Sequence, residues 1–211
     1  ARQKPRIGNI LEINIEEVLR LHPDLILITP LTDPKSIKKM KELNLKLYLM
    51  PEIKTFEDLC REFILLGQIL QKKKEAEEIV LSCKKRLELL KIKIPKPSPS
   101  AFIQIGINPL FAATGKSYIH DMITYAGGTN IAEMDARGIY SREKVIQVNP
   151  DHIFIVTMGD EPPETMNPWI HFAEMKAVKT GHVHFLDANT LCSPTPLTFT
   201  SSVEKILTLL L

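Results

Sequence analysis

The chain has 211 residues, 44% hydrophobic and 25% charged, with a formal net charge of +2. These values suit one or two compact globular units and give no support to a nucleic-acid-binding surface. No apolar run reaches the ~18–20 residues that a membrane span needs, and the Lys72-Lys73-Lys74 run sits beside Glu75, Glu77 and Glu78 as a solvated helix face.

Taken from the start, Ala1-Arg2-Gln3-Lys4-Pro5 has no signal-peptide pattern, so any targeting segment lies outside this sequence. Asn14 is placed to cap a helix through Leu21, with Glu17 completing a capping box. His22-Pro23 ends it, because the residue before proline avoids the helical region. Leu25–Thr29 is a short continuous apolar run, the pattern of a strand buried on both faces. Asp33-Pro34 opens a helix to Leu43, and Leu45–Leu49 is the next strand. Strand–helix–strand with short loops implies a parallel sheet.

From Thr55 to about Lys91 apolar residues recur at helical spacing, with a break at 71–73, which predicts helices of ~16 and ~20 residues. At 1.5 Å per residue the longer one is about 30 Å long. Pro95, Pro97 and Pro99 then make a stiff extended connector. Beyond it the spacing predicts a strand at Ala101–Ile105, a helix from Ser117 to Ala126 stopped by Gly127-Gly128, and a helix from Ser141 to Val148. A strand at Ile153–Thr157, a helix over Trp169–Ala177, a strand at Val183–Leu186 and a closing helix at Thr200–Leu210 complete the chain.

Two of these segments share one pattern. Residues 15–28 read IEEVLRLHPDLILI and residues 142–155 read REKVIQVNPDHIFI. Glu16, Val18, Pro23, Asp24, Ile26 and Ile28 fall on Glu143, Val145, Pro150, Asp151, Ile153 and Ile155. The separation exceeds the roughly 20–50 residues of a solenoid unit, so the repeat predicts two similar α/β lobes. The second lobe has a strand and a helix before its repeated unit. The first has only about a dozen residues there, so its opening strand and helix are expected to be missing, which leaves apolar surface and unpaired strand edges.

Three segments together resemble the substrate-binding proteins of ABC importers for iron–siderophores, haem and cobalamin. They are the doubled Pro-Asp unit, FIQIGINPLFAATGKSYIHDMITYAGGTNIA at 102–132, and WIHFAEMKAVKTGHVHFLD at 169–187. The stretch at 102–132 is most similar to the cobalamin-binding branch. The resemblance implies an α/β fold of two lobes with mostly parallel sheets, joined by one long helix. The lobes would span 1–70 and 98–211, with the connecting helix and linker at 71–97. It also implies capture of a metal chelate in a cleft between lobes, at the periplasmic or extracytoplasmic surface, and delivery to a dimeric permease. It implies further that there is no enzymatic step and no resident cofactor, with cobalamin, haem or a ferric siderophore as the cargo.

In α/β lobes ligands sit at the carboxyl ends of strands. Those ends and the loop near them supply Thr32, Asn108, Pro109, Arg137, Tyr140, Gly159, Asn189 and Leu191 as ligand contacts. The cobalamin branch places an Asp and an Arg where Asn189 and Ser193 stand here, and a tryptophan where Arg137 stands. Tyr140 is either a phenolate ligand for haem iron or a hydroxyl packed on the lobe. By resemblance, Glu16 and Glu143 are the acidic knobs that meet arginines of the permease, one per subunit.

Other chemistries fit less well. Gly115-Lys116-Ser117 lacks the glycine of a phosphate loop, since position 110 is leucine. The six histidines form no metal set by spacing, although His182 and His184 share a strand face. There is no Gly-x-Ser-x-Gly elbow. Cys60, Cys83 and Cys192 read as buried thiols, with one disulfide left open and no CxxC pair. A metal-cluster enzyme subunit and a self-associating, non-binding fragment remain as alternatives, as does membrane tethering through a segment outside the sequence.

Overall fold

A computed structural model describes residues 4–9, 12–157 and 167–211. Two compact units divide between Glu52 and Ile53.

The first unit opens with helix α1 (Ile15–Arg20), capped by the Asn14 side chain, which accepts the Glu17 N–H at 3.1 Å. Only this half of the expected capping box forms, because the Glu17 carboxylate is drawn to the Arg20 guanidinium at 2.7 Å. Strand β1 (Ile26–Ile28), helix α2 (Pro34–Glu42) and strand β2 (Leu47–Leu49) follow. The strands pair in parallel, Ile26 opposite Leu47 and Ile28 opposite Leu49. Ile15, Ile28 and Met40 form the core.

The second unit begins with two helices, α3 (Phe56–Ile69) and α4 (Lys73–Leu90). Then come β3 (Ser100–Ile107), β4 (Leu110–Ala112), α5 (Tyr118–Tyr125), β5 (Thr129–Asn130), α6 (Arg142–Val148) and β6 (His152–Thr157). After the undescribed stretch lie α7 (Lys176–Lys179), β7 (Val183–Asp187), α8 (Ala188–Leu191) and α9 (Pro196–Leu210). The sheet order is β4-β3-β6-β7, with β5 also on β3. Strands β3, β6 and β7 are parallel, and β4 runs antiparallel to β3. This is the mostly parallel α/β fold that the sequence predicts.

Apolar side chains cover both faces of that sheet, which is why β6 reads as an unbroken apolar run. One face packs Ile103 and Phe154 against Phe56, Cys83 and Phe199 from the helices. The other joins Phe102, Tyr140, Ile153 and Trp169. Phe56 stacks on Phe199 at 4.5 Å; burying a side chain of this size contributes about 1.5–3 kcal/mol.

Helices α3 and α4 both belong to this second unit. Residues 53–70, placed by the sequence with the first lobe, and the connector helix after them present Phe56, Leu59, Val80 and Leu87 to its core. Helix α4 is also clipped by Lys84 to Glu57 at 2.7 Å and by a two-pronged Arg86–Glu204 contact at 2.8–3.1 Å.

Other expectations shift as well. The helix over 169–177 is a run of tight turns, Phe172 N–H to Trp169 O and Met175 N–H to Phe172 O, before the four-residue α7. Helix α9 starts at Pro196 rather than Thr200, because Thr195 and Thr198 form a capping box. The three cysteines are free; Cys60 and Cys83 are buried, whereas Cys192 is exposed.

The doubled sequence is a doubled structure. Helix α1 and strand β1 match α6 and β6, and Val18 and Val145 are both buried. His22 and Asn149, at the same place in each copy, take left-handed φ of 46° and 51°. That backbone ends the helix and turns the chain into the strand.

Candidate functional site

The carboxyl edge of the second unit's sheet is built from a hairpin, a loop and a short helix. Strand β3 turns at Asn108-Pro109 into β4, with Ile107 opposite Leu110 and Gly106 opposite Phe111. A Cβ on Gly106 would lie 3.2 Å from both the Phe111 ring and the Pro109 carbonyl oxygen, so glycine lets Phe111 lie close over the strand. The loop from Asp135 runs beside β4. The Asp135 carboxylate accepts the Arg137 and Gly138 N–H groups, each at 2.9 Å, and Phe111 bridges to Ile139. Those backbone bonds, with smaller help from Lys144 and Arg137, hold the Asp135 carboxyl below the usual carboxylate range.

Phe111 and Ile139 face each other across their bridge and are exposed, at 40% and 55%, whereas Ile107, at 38%, pairs with Leu110 and so projects from the other face of the hairpin. Arg137, two residues before Ile139, is exposed on the same loop. Asn108 and Pro109 lie at the turn and Arg137 at the other end of the pairing between β4 and the loop, with Phe111 and Ile139, which sequence reasoning missed, between them. Asn108-Pro109 marks only the corner that turns β3 back into β4, the nearest sequence signal to Phe111.

Farther along the edge, beyond β6, lies the end of β7, about 10 Å from β3 by strand spacing. Asp187 caps α8, its carboxylate accepting from the backbone and side chains of Asn189 and Thr190 at 2.7–3.2 Å. These bonds, Thr190's hydroxyl foremost, lower its pKa. Asn189 is exposed, but its side-chain amide is tied to Asp187.

Two expected contacts belong to the core instead. Tyr140 is 5% exposed, packs on Phe102, lies under the Lys144 ammonium and donates its hydroxyl to the Ile131 carbonyl at 3.2 Å. Packing therefore replaces the phenolate role. Leu191 is 2% exposed, and its carbonyl accepts the Tyr118 hydroxyl. Thr32 lies in the first unit, buried beside Thr29 with the two hydroxyl oxygens 3.3 Å apart. Gly159 lies outside the described residues.

Behind the edge, Trp169 donates its indole N–H to Gln104 Oε1 at 2.8 Å, pinning the chain after the undescribed stretch onto β3. At the opposite, amino end of β6 and β7, His152, His182 and His184 stack. The His152 and His182 rings are parallel at 4.4 Å, and His152 Nδ1 is 3.4 Å from His184 Nε2. Burial, then the neighbouring imidazoles, push His152 down to about 4. Beside it, the Asp151 carboxyl falls to about 2, because Lys176 and Ser100 outweigh the opposing effect of burial. Among the described residues no three or more His, Cys, Asp or Glu side chains are placed to hold a metal ion.

The mostly parallel α/β sheet with helices packed on it is the fold of periplasmic solute-binding proteins. A family model described as periplasmic binding protein matches residues 1–190, and the chain belongs to that family, whose members capture solutes outside the cytoplasm for ABC importers. It is 27% identical to the vitamin B12-binding protein of Vibrio vulnificus strain CMCP6, over 98% of this chain and 76% of that one. It is 30% identical to the high-affinity heme uptake system protein IsdE of Staphylococcus aureus strain RF122, over 87% of this chain and 66% of that one. The crystal structure of the periplasmic vitamin B12 binding protein BtuF of Vibrio cholerae superposes with a TM-score of 0.77 at 25% identity. That match covers 97% of this chain and 80% of that one.

Proposed function

We propose that the chain captures a bulky metal chelate, a corrinoid, a haem or a ferric siderophore, as cargo and passes it unaltered to a dimeric ABC permease. The observation that supports this is the exposed apolar pair of Phe111 and Ile139, with Arg137 two residues away on the same loop. Capture of a large, partly apolar ligand needs such a wall and a few directed polar groups, and the guanidinium suits an acidic substituent at the ligand's rim. Asn108, Pro109 and Asn189 complete the contacts on this unit. The relatives named for vitamin B12 and heme agree with this class of cargo.

Glu16 and Glu143 are the permease contacts. They hold the same position in each copy of the repeat, in the first turns of α1 and α6, and both are exposed. No hydrogen bond or ion pair engages either one among the described residues. Each is thus available to a cation on one subunit of a two-fold partner.

The test is a titration with cyanocobalamin, haemin and a ferric hydroxamate, read by absorbance and thermal unfolding. A cognate cargo at 100 times its Kd adds about 2.7 kcal/mol to stability. If none of the three shifts unfolding, the chelate reading is lost. Glu16→Ala with Glu143→Ala is expected to keep cargo affinity and weaken permease association.

A further inference from the structure

Helices α3 and α4 form an antiparallel hairpin whose facing residues pair in layers. Gln71, with a left-handed φ of 59°, turns the chain between them. Next to the turn, a Cβ on Gly67 would lie 2.5 Å from the Ala76 Cβ, so the two backbones approach very closely there. Steps of three and four residues stay on one helix face. Taken away from the turn along both helices, they set Phe63 against Val80, Cys60 against Cys83 and Phe56 against Leu87. The Lys84–Glu57 contact at 2.7 Å ties the helices together beside the cysteine layer. Both thiols belong to one core, Cys60 being 2% and Cys83 0% exposed. Burial raises the Cys60 thiol to about 12, and Cys83 is among the neighbours that add to it.

A disulfide needs Cα atoms within about 7 Å of each other. Packed helix axes lie about 8–10 Å apart, and Cα atoms sit about 2.3 Å from each axis. The glycine–alanine layer draws these two axes toward the short end of that range, where Cα atoms on the facing sides fall inside the limit. Cys192 lies beyond α8, on neither helix.

We propose that Cys60 and Cys83 are a disulfide-forming pair that staples α3 to α4. Members of this family work outside the cytoplasm, where disulfides form and persist. The oxidant is an external disulfide. The thiolate of one cysteine attacks it, forming a mixed disulfide and expelling one thiolate. The thiolate of the other cysteine then attacks the sulfur of the first, closing the Cys60–Cys83 bond and expelling the second. The two leaving thiolates take up the two protons that the cysteines lose, so the external disulfide ends as two thiols. In the folded chain both sulfurs are shielded, so the bond closes while the hairpin is open and folding then buries it. The inference goes beyond the chelate reading and uses none of its cargo contacts.

The test uses the whole chain and glutathione. The reduced chain, and the chain first closed in concentrated urea, are each brought to equilibrium with mixtures of reduced and oxidised glutathione, in native buffer and in urea. Acid quenching and peptide mass mapping then give the linked fraction. The closure constant for Cys60–Cys83 is expected to be about a hundredfold larger in native buffer than in urea, the usual gain from a native disulfide. The urea midpoint of the closed chain is expected to exceed that of the reduced chain, and Cys60→Ala with Cys83→Ala is expected to make the midpoint indifferent to oxidant. Any of three results overturns the proposal: a closure constant no larger in native buffer than in urea, a dominant link that involves Cys192, or a closed chain whose midpoint is no higher than that of the reduced one.

Discussion

Acid should unlock the amino end of the sheet, and the histidine stack sets how far. His152 is 5% exposed, beside His182 and His184 and next to Asp151 and Lys176. Its pKa is about 4 when folded against 6.5 for a free imidazole. A depressed histidine pKa means the unfolded chain binds the proton first, so stability rises with pH across the window. The contribution is fully present above about pH 6.5 and is lost as pH falls through about 4. The gap of 2.5 pKa units at 1.36 kcal/mol each caps the loss at about 3 kcal/mol. Urea unfolding followed by the fluorescence of Trp169, the single tryptophan, at pH 7.5, 6, 5 and 4.5 measures it. His152→Phe keeps a flat ring in the stack and is expected to reduce that pH dependence, leaving the part that comes from His184, whose pKa burial also lowers. A stability that stays level from pH 7.5 to 4.5, or an undiminished slope in His152→Phe, would refute the reasoning.

Asp151 opens another, lower acid window: its depressed pKa gives stability that is present above about pH 4 and lost as pH falls through about 2, which extending the urea series to pH 2 would reveal. Trp169→Phe removes the donor to Gln104 Oε1 and leaves a buried amide whose Nε2 already has no partner; denaturant unfolding should show a loss of about 1–3 kcal/mol. Gly106→Val drives a branched side chain against the Phe111 ring. Cargo affinity is expected to drop, with a stability cost of about 1–3 kcal/mol, by titration and thermal melts on the same sample. Arg86→Ala breaks the contact with Glu204, whose partners are 40% and 38% exposed, and should cost no more than about 1 kcal/mol in urea unfolding.

The framework was legible wherever periodicity and capping agreed. Strand β6 was announced by an apolar run, and helices α5 and α6 by Ser117 and Ser141, whose hydroxyls accept the first-turn N–H groups. The doubled Pro-Asp unit revealed the two-copy architecture, because a left-handed residue and a buried valine recur at fixed offsets. Periodicity failed at 169–177. Trp169, Phe172 and Met175 fall three apart, a spacing that successive tight turns share with a helix, and the indole bond to Gln104 fixes the turns. The site was read less well. Position at a strand's carboxyl end located Asn108, Pro109 and Arg137, yet it could not tell that Tyr140 and Leu191 turn inward to the core. Nor did it reveal Phe111, whose place depends on the short antiparallel β4, a strand too brief to leave a pattern of its own.

The thiols have a practical consequence. Cys83 is wholly enclosed and burial pushes the Cys60 thiol up to about 12, so neither offers a reactive thiolate. Cys192 is exposed, one residue beyond α8 at the carboxyl end of β7; burial of its thiol, then Asp187, raises its pKa too, so it reacts through its access and in mildly alkaline buffer. A maleimide dye added to the native chain therefore labels one place, a few residues from the proposed cargo contact Asn189. No engineered cysteine is required, and cargo arrival should register as a change in the dye's emission, making the unmodified sequence a single-site optical sensor.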